Sequence, residues 1–548
     1  MKVTSRIVAS LLVTIVPWPG VAAAAEAGAG RLAPVAVPLF VDETASAGVE
    51  QIYDGEWEFF VGGGVAVFDC DADGRPDLYI AGGVNPAGLF RNESPVGGAL
   101  RFARMTDPAT DLERVMGAYP LDIDGDGLTD LAVLRHGENA LLRGLGECRF
   151  ERANEAWGFD GGEASTTAFS ATWEEGAEWP TLAIGNYVTP RESDGTTSCF
   201  DNMLLRPNAK SSGYGPPLAL DPSWCALSML FSDWNRSGRR DLRVTNDRHY
   251  YRDGEDQLWR IAPGQAPQAY TREDGWERVR IWGMGIASQD ITGDGYPEVY
   301  LTSIGDNRLQ TLADGPERPS FRDIAFKRQV TAHRPFAGGD GTSSTAWHPE
   351  FDDVNNDGRM DLYISKGNVE AMAENAMDDP NNLLLSLPDG TFADAAVEAG
   401  ILNPARTRGA AVVDLNLDGL LDLVEVNRRE NVSLRRNLGA GEGSDARPMG
   451  HWLAIDLEQE GANRDAVGAW IEVRSGRRTT SREVTVGGGH AGGQLGPTHF
   501  GVGDARRARV RVRWPDGERG PWLTVPSDQY VTVIRGADAV RPWSVTHP

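Results

Sequence analysis

Short acidic loops are the part of this sequence whose residue types and spacing point most directly to chemistry. Five segments share the spacing DxDxDGxxD, each followed by an apolar run, and they begin at Asp69, Asp122, Asp290, Asp353 and Asp414. Oxygen-bearing side chains occupy positions 1, 3, 5 and 9, and glycine occupies position 6, where a reversal of the backbone needs a positive φ. Because alternate side chains of such a loop can converge on one point, the pattern predicts a cation site in each loop.

Calcium is the cation that these loops are expected to hold. Ca²⁺ takes six to eight oxygen ligands, whereas Mg²⁺ demands a strict octahedron and retains water, so Mg²⁺ ranks second. Positions 1, 3, 5 and 9 would supply side-chain oxygens, and position 7 would add its backbone carbonyl. The sequence predicts about five Ca²⁺ sites, with ligands from Asp69, Asp71, Asp73, Arg75, Asp77, Asp122, Asp124, Asp126, Leu128, Asp130, Asp290, Thr292, Asp294, Tyr296, Glu298, Asp353, Asn355, Asp357, Arg359, Asp361, Asp414, Asn416, Asp418, Leu420 and Asp422.

An EF-hand shares the first half of this pattern but needs a glutamate at position 12 and flanking helices. Position 12 is apolar in four of the five loops and is Glu425 in the fifth. The run after position 9 is typical of a β-strand, so each loop is expected to join two strands. Asp-Gly turns without metal remain the alternative for any single loop, and five loops in register weaken it.

Two further segments continue the repeat in a decayed form. DWNRSGRRDLRV begins at Asp233 and has Ser237 at position 5, so it is expected to bind metal weakly or not at all. TWEEGAEWPTLAI begins at Thr172 and has lost most of its acids. The seven segments recur at intervals of about 50 to 63 residues, which suits the four-stranded blade of a β-propeller. An aromatic strand precedes most of the loops, at Phe40, Phe102, Phe150, Tyr270, Phe321 and Phe392.

The two ends of the repeat region complement each other. After the Asp414 loop one more hairpin reaches about Asn437 and no aromatic strand follows, while the strand at Phe40 has no blade before it. We infer that the N-terminal strand completes the last blade, which removes two exposed sheet edges. The predicted fold is all-β, a seven-bladed β-propeller followed by a small C-terminal β domain, with six or eight blades still open. The predicted boundaries are a signal peptide at 1–25, a linker at 26–38, the propeller at 39–445 and the β domain at 446–548.

The N-terminus indicates export, and an exported chain can keep disulfides. Lys2 and Arg6 precede an apolar run of about ten residues and small residues suited to cleavage, as in a signal peptide. A retained membrane anchor is the alternative, and no later segment approaches the roughly 20 apolar residues of a spanning helix. A secreted or periplasmic location is therefore expected. Among the three pairings of four cysteines, Cys199–Cys225 is favoured because both flank a loop-like insertion at about 190–224, and Cys70 lacks a second thiol at zinc-site spacing.

The charge of the chain is strongly uneven. The formal net charge is −26, which disfavours nucleic acid and anionic membranes as partners. From Arg447 onward, however, there are 14 Arg, no Lys and 11 acidic residues. This mildly basic segment is expected to dock against the acidic propeller or to offer a separate binding face. An ordinary solvated strand face is the alternative for any single arginine.

No catalytic motif stands out. The sequence has no GxSxG, HExxH or P-loop pattern, and the glycine runs at 62–64 and 487–489 open no plausible helix. The segments at His249 and His348 are the most suggestive, although packing between blades is the more expected role. We therefore expect a monomeric binding or adhesion module for an extracellular protein or carbohydrate. The alternative is a calcium-dependent extracellular polysaccharide lyase or hydrolase on a propeller scaffold.

The loops and the C-terminal segment together resemble known families. The DxDxDGxxD units resemble FG-GAP/VCBS repeats, as in the integrin α propeller. The segment from His451 to about Gly536 resembles the ASPIC/UnbV domain in its stretches GAWIEV, HFGVG, VRWPDG and DQYVTV. This order of parts is similar to the cartilage acidic protein 1 family. The resemblance implies an extracellular or periplasmic calcium-binding propeller whose loop side chains are the ligands, and it implies little about activity.

Overall fold

The computed structural model describes residues 32, 34–190, 197–210, 212–247, 254–333, 342–441, 447–543 and 545. The predicted signal peptide and the His249 segment lie outside these residues. The described helices are two single turns, α1 (Thr44–Ala47) and α2 (Ala325–Arg328), and a 3₁₀ turn at Trp57–Phe59. None of the helices in the described part of the chain has the length and apolarity that a membrane crossing requires.

The repeat region consists of 28 strands in the described residues. In chain order they are β1 (Pro38–Asp42), β2 (Val65–Phe68), β3 (Asp77–Ile80), β4 (Gly88–Asn92), β5 (Phe102–Met105), β6 (Val115–Leu121), β7 (Asp130–Arg135), β8 (Ala140–Gly144), β9 (Phe150–Arg152), β10 (Thr166–Thr172), β11 (Thr181–Asn186), β12 (Met203–Leu205), β13 (Leu218–Ala219), β14 (Cys225–Ser232), β15 (Asp241–Asp247), β16 (Gln257–Arg260), β17 (Gln268–Ala269), β18 (Ile286–Gln289), β19 (Glu298–Leu301), β20 (Arg308–Leu312), β21 (Phe321–Asp323), β22 (Ala346–Asp352), β23 (Asp361–Lys366), β24 (Asn382–Ser386), β25 (Phe392–Asp394), β26 (Thr407–Val413), β27 (Asp422–Asn427) and β28 (Ser433–Ala440).

These strands form seven antiparallel four-stranded sheets arranged in a ring. Six sheets take four consecutive strands each, from β2–β5 to β22–β25, and the seventh has the order β1-β28-β27-β26. The inner strand of each sheet, which we also call its first strand, contacts the inner strand of the next sheet, and the seventh inner strand contacts the first. The inner strands are β2, β6, β10, β14, β18, β22 and β26. These inner strands are almost wholly buried, whereas the outermost strands are only partly buried. Burial on both faces explains why the inner strands show apolar runs rather than alternation.

The N-terminal strand completes the last sheet, as inferred from the sequence. Strand β1 pairs antiparallel with β28, and Phe40 lies opposite Asn437. The strand that leaves one end of the chain therefore occupies the edge that the other end would expose. This pairing closes the ring without an open sheet edge at the junction.

Two disulfides join neighbouring sheets, and the segment at 190–224 was wrongly interpreted as an insertion. Cys199 is bonded to Cys225 as favoured, and Cys70 is bonded to Cys148. The first bond links the third sheet to the fourth, and the second links the first sheet to the second. The segment 190–224 is not an insertion outside the repeat, because it contains β12 and β13 of the third sheet. Those strands have three and two residues, too few to show a periodic pattern.

The C-terminal domain consists of two four-stranded sheets. Its strands are β29 (His451–Glu458), β30 (Trp470–Ser475), β31 (Arg478–Glu483), β32 (Thr498–Gly503), β33 (Arg507–Arg513), β34 (Leu523–Pro526), β35 (Gln529–Ile534) and β36 (Arg541–Pro542). The sheet orders are β32-β29-β35-β36 and β31-β30-β33-β34. The apolar side chains that alternate along these strands share one core, which includes Ile455, Ile471 and Val510.

A glycine-rich loop of the C-terminal domain fills the centre of the ring. We call residues 484–497, between β31 and β32, the channel loop. Its backbone is hydrogen-bonded to the inner strands of five sheets, through Val67, Ala118, Ala171, Met229 and Ile286, at N–O distances of 2.7–3.3 Å. His490, at the tip of the loop, donates its backbone N–H to Nδ1 of His348 in the sixth inner strand (3.1 Å). The channel loop thus gives partners to the inner backbone groups that a bare ring would leave open.

Glycines on both sides make this approach possible. A Cβ atom added at Gly64 or Gly117 would lie 1.8 Å from the carbonyl oxygen of Ala491. A Cβ atom at Gly492 would lie 2.2 Å from the carbonyl oxygen of Val65. The glycine runs at 62–64 and 487–489, which opened no helix in the sequence, therefore serve close backbone contact.

His490, at the tip of the channel loop, is a buried neutral group. Its side chain is fully buried, Nε2 accepts a hydrogen bond from the Gly62 N–H (3.3 Å), and Nδ1 has no partner among the described residues. The indole of Trp347 lies 5.1 Å away between ring centroids. Burial, and then the charges of Arg408 and His348, lower the pKa of His490 to about 3. The folded chain therefore holds this imidazole uncharged throughout the physiological range.

Substitution of Gly117 by alanine tests the seating of the channel loop. The added Cβ clashes with backbone rather than with a flexible side chain, so Gly117→Ala should lower the free energy of unfolding by about 1–3 kcal/mol. Urea unfolding measures the change. Gly441→Ala is the matched control, since a Cβ there meets nothing within 4 Å. Equal stability of the two variants would contradict the described contact.

The pH dependence of stability tests the burial of His490. Its folded pKa lies below the unfolded value of 6.5, so the stability it contributes is present above pH 6.5 and is lost as the pH falls toward 3. His490→Gln cannot take up this proton. The difference in unfolding free energy between wild type and variant should therefore shrink below pH 6.5 by about 1.4 kcal/mol per pH unit. Urea unfolding between pH 4.5 and 7.5 measures it, and a difference independent of pH would refute the assignment.

Candidate metal centres

The acidic loops all join the first and second strands of a sheet and share one backbone frame. In six loops the carboxylate at position 1 accepts the backbone N–H of the glycine at position 6, at 2.5–3.0 Å. Those glycines, from Gly74 to Gly419, have φ between 84° and 94°. The predicted positive φ at position 6 and the predicted strand on each side are confirmed.

The acid at position 9 is the first residue of the second strand and ties three segments together. Asp130 accepts the N–H of Ile123 in its own loop (2.7 Å) and that of Gly144 in the third strand (2.8 Å). Asp77 and Asp422 make the equivalent pairs of bonds at 2.7–2.9 Å. This carboxylate therefore has a structural role that the sequence pattern did not reveal.

Two loops bring three carboxylates close together. Ligand oxygens of Asp69, Asp71 and Asp77 lie within 4.8 Å of one another, and so do those of Asp122, Asp124 and Asp130. In the loops at Asp290, Asp353 and Asp414 position 3 is Thr292, Asn355 and Asn416, so fewer acids are available. Positions 1, 3 and 9 are thus the side chains that the structure places together.

The acid at position 5 forms an ion pair with an arginine in three loops. Asp73 forms an ion pair with Arg75 (2.7 Å), and Asp357 pairs with Arg359. Asp126 pairs with Arg143 (2.8 Å), which comes from the third strand of the same sheet. In each loop the position 5 side chain accepts the N–H of position 7. Coordination by the carbonyls of Arg75, Leu128, Tyr296, Arg359 and Leu420 remains a prediction.

Burial makes these carboxyls hard to ionise without a cation. Burial is the largest cause that raises the pKa of Asp122 to about 7 and of Asp130 to about 8, and nearby acids add to it. The pKa of Asp69 rises to about 6, and those of Asp414 and Glu298 rise to about 7, for the same first reason. A bound divalent ion would favour the charged forms and reverse this cost.

An unpaired amide oxygen marks the last loop as suited to a cation. Asn416 is 1% exposed and its Nδ2 donates to the carbonyl of Gly98 (2.9 Å), yet its Oδ1 has no partner among the described residues. A buried acceptor without a donor is costly, and a metal ion would satisfy it. Position 3 of this loop therefore fits the oxygen ligand that the pattern predicted.

The two decayed loops use arginine where the others have acid clusters. In the loop at Asp233, Asp241 accepts bonds from Arg239 (3.0 Å), Trp234 (2.9 Å) and the Tyr270 hydroxyl (2.7 Å). In the third sheet, Glu174 pairs with Arg206 at 2.5 Å. A guanidinium group thus pairs with a carboxylate in both loops, and weak or absent metal binding by the loop at Asp233 stays a prediction.

The C-terminal domain lies over the face of the ring that carries these loops. The Tyr530 hydroxyl donates to Oδ2 of Asp414 (2.6 Å), and His499 shares a hydrogen bond with Asn356 (2.7 Å). On the decayed loop, Glu483 accepts the backbone N–H of Asp233 (2.9 Å). The expectation that the basic segment docks against the propeller is met by these contacts.

A cavity of about 290 Å³ remains between the channel loop, β22, β26 and the C-terminal domain. His348 and Glu350 line it, and their side chains are hydrogen-bonded to each other (3.2 Å). Because His348 Nδ1 also accepts the N–H of His490, both of its ring nitrogens are occupied. Of the two suggestive histidines of the sequence, His348 is therefore held by hydrogen bonds on both ring nitrogens.

Two known families match parts of the chain. The family described as FG-GAP-like repeat matches residues 69–133 and 353–425, and the family ASPIC and UnbV matches residues 459–540. No curated protein matches the sequence.

The solved structures with a similar backbone are distant. BBS1N in complex with ARL6DN is 9% identical with a TM-score of 0.42, over 73% of this chain and 97% of that chain. An Agrocybe aegerita lectin, solved for its recognition of non-reducing terminal N-acetylglucosamine, is 15% identical with a TM-score of 0.37, over 68% and 93%. Similarity at these TM-scores supports no conclusion about this chain.

The matched repeats contain four of the five acidic loops, all but the loop at Asp290. The matched C-terminal domain contains the channel loop. The chain is an all-β, propeller-type protein that contains FG-GAP-like repeats and a C-terminal ASPIC and UnbV domain.

Proposed function

We propose that this protein is a secreted or periplasmic calcium-binding propeller that acts as a binding module for an extracellular protein or glycan. The observation that supports it most directly is the clustering of three carboxylates in the loops at Asp69 and Asp122. Their shared hydrogen-bond frame extends to the loops at Asp290, Asp353 and Asp414. About five Ca²⁺ ions per chain follow from this repetition.

In each loop positions 1, 3 and 9 would hold the ion first. The position 5 carboxylate would join them, in the loops at Asp69, Asp122 and Asp353 after leaving its arginine partner. The position 7 carbonyl would complete an oxygen set of the size that Ca²⁺ takes. Bound Ca²⁺ would neutralise the buried carboxylates and fix the loops on which the C-terminal domain rests. Metal binding then contributes to folding stability.

The disulfides support the proposed location. Two bonds that each join neighbouring sheets indicate an oxidising, non-cytoplasmic compartment. Calcium is abundant outside cells, and extracellular Ca²⁺ modules work with dissociation constants of roughly 10⁻⁴–10⁻³ M. Moderate affinity of the loops is therefore sufficient there.

The ring face opposite the acidic loops offers a surface for a partner. It carries the connections between second and third strands, where Val84 is 50% exposed and Met377 51% exposed. Ile52 and Trp282 add further exposed apolar area on nearby connections. Exposed apolar side chains can contribute to a protein or carbohydrate contact. The other face is covered by the C-terminal domain.

The alternative function, a polysaccharide lyase or hydrolase, has less support. The channel loop occupies the centre of the ring. Of the two histidines on the cavity wall, His348 has both ring nitrogens hydrogen-bonded and His499 is tied to Asn356 through Nε2. The carboxylate clusters suit a cation better than an acid–base pair. A screen of protein partners and glycans with Ca²⁺ and with EGTA distinguishes binding from turnover.

The number of bound ions tests the loop assignment. Asp122→Asn should remove one Ca²⁺ per chain, measured by elemental analysis after dialysis against Ca²⁺. Asp233→Asn is the matched control, because both aspartates accept the N–H of a position 6 glycine at 2.9 Å but only Asp122 lies in an acid cluster. The control should retain the wild-type count. Equal counts in the two variants would contradict the assignment.

Chelation tests the link between calcium and stability. Each site filled at 100-fold its dissociation constant adds about 2.7 kcal/mol to the free energy of unfolding. EGTA should therefore lower the melting temperature of the wild type, and Mg²⁺ at the same concentration should restore it less than Ca²⁺ does. An unchanged melting curve in EGTA would overturn the calcium proposal.

A further inference from the structure

One face of the C-terminal domain carries arginines that have no acidic partner. On the sheet β31-β30-β33-β34, Arg474, Arg507 and Arg509 are exposed, and we call them the distal arginine face. No ion pair or hydrogen bond of their guanidinium groups is found within the described part of the chain. Arg477, in the turn between β30 and β31, is exposed beside them.

Strand register shows that this charge is not compensated within the sheet. Arg474 lies directly opposite Arg509, although like charges in that position repel. The remaining members of the same cross-strand row are Thr479, opposite Arg474, and Thr524, opposite Arg509. The row across all four strands therefore contains two arginines and no acid.

The neighbouring row, by contrast, is neutralised. Glu472 pairs with Arg511 (2.5 Å) on its own sheet and with Arg236 of the propeller (3.2 Å). Arg513 donates to the carbonyl of Arg236 (2.9 Å). Arginines near the propeller thus serve docking, whereas those of the distal arginine face are left for another partner.

A tryptophan borders the positive charge. The guanidinium groups of Arg509 and Arg511 lie 5.2 Å and 4.4 Å from the ring centroid of Trp522, whose side chain is half-buried. An indole held in this way presents a flat apolar surface next to a cationic one. That combination suits a sugar ring whose substituents are anionic.

The spacing of the arginines fits anions repeated along a chain. Opposite residues of paired strands have Cβ atoms roughly 4.5–5.5 Å apart, and alternate residues of one strand are about 7 Å apart. Planar guanidinium groups bind sulfate or carboxylate in a bidentate manner.

We propose that the distal arginine face binds an anionic polysaccharide, with sulfate or carboxylate groups on Arg474, Arg507 and Arg509 and a sugar ring against Trp522. This inference rests on the proposed function as a binding module, and it names the ligand class and the surface. The ring and its acidic loops take no part in the contact. Sulfated and carboxylated chains share the chemistry, and the experiment distinguishes them.

Binding of the full chain to immobilised polysaccharides tests the proposal. Dextran sulfate presents sulfate, polygalacturonate presents carboxylate, and neutral dextran is the blank, all in buffer with Ca²⁺. The wild type should bind at least one of the two anionic chains and not neutral dextran. R474S/R507S/R509S should weaken that binding at least tenfold and lower its dependence on salt, because three ion contacts are lost.

A matched variant controls for net charge. R149S/R272S/R322S removes three exposed arginines from the propeller and changes the total charge equally. It should bind within twofold of the wild type. Trp522→Ala should weaken binding without changing the salt dependence, and R474K/R507K/R509K, which keeps the charge but not the bidentate geometry, should bind at an intermediate level.

Several outcomes would overturn the proposal. They are equal loss in the two triple variants, wild-type binding by R474S/R507S/R509S, or tighter wild-type binding to single-stranded DNA or to anionic lipid vesicles than to either polysaccharide. Calcium content measured on the same samples separates this inference from the calcium proposal. Absence of polysaccharide binding with normal calcium content would contradict the proposal for the distal arginine face alone. Absence of calcium with intact polysaccharide binding would contradict the calcium proposal alone.

Discussion

The architecture depends on a close backbone approach at the centre of the ring. Seven inner strands converge on one axis, and the backbone groups on their inner edges need partners. The channel loop supplies them, and it fits only because Gly64, Gly117 and Gly492 have no Cβ atom where the chains meet. The hydrogen bonds of this loop are formed between residues hundreds of positions apart. The two domains are consequently one body rather than two modules on a linker.

Placement of the channel loop decides what covers the acidic loops. Once residues 484–497 enter the ring, β31 and β32 emerge on the face where the first and second strands join. Tyr530 then donates to Asp414, and His499 contacts Asn356 of the neighbouring loop. The charge on these loops therefore affects the hydrogen bonds that hold the C-terminal domain. Under the proposed function, ion binding and domain docking would share Asp414, so the free energy of one would enter the other.

Local spacing made much of the fold and part of the site predictable. The glycine at position 6, the strand after position 9 and the closure by β1 follow from patterns within single repeats or at the chain ends. The position of the channel loop could not be predicted. A run of glycines indicates a close backbone approach, but it does not identify the segment that is approached. The pairing of Asp73 with Arg75 and the third-sheet strands β12 and β13 were also missed. Asp73 can pair with the arginine two residues later instead of pointing at a metal ion, and the spacing pattern does not show which it does. Strands of two or three residues are too short to show an alternating pattern.

The distribution of charge reflects two opposite demands on one chain. Acids are concentrated in loops where buried oxygens converge, and their raised pKa values favour a cation as partner over solvent. Arginines are concentrated in the C-terminal domain, where Arg482 neutralises Asp352 of the ring and Arg511 neutralises Glu472. Arginines beyond the reach of the ring lack that partner. A net charge of −26 therefore conceals a positive surface, and only the strand register, which sets Arg474 opposite Arg509, reveals it.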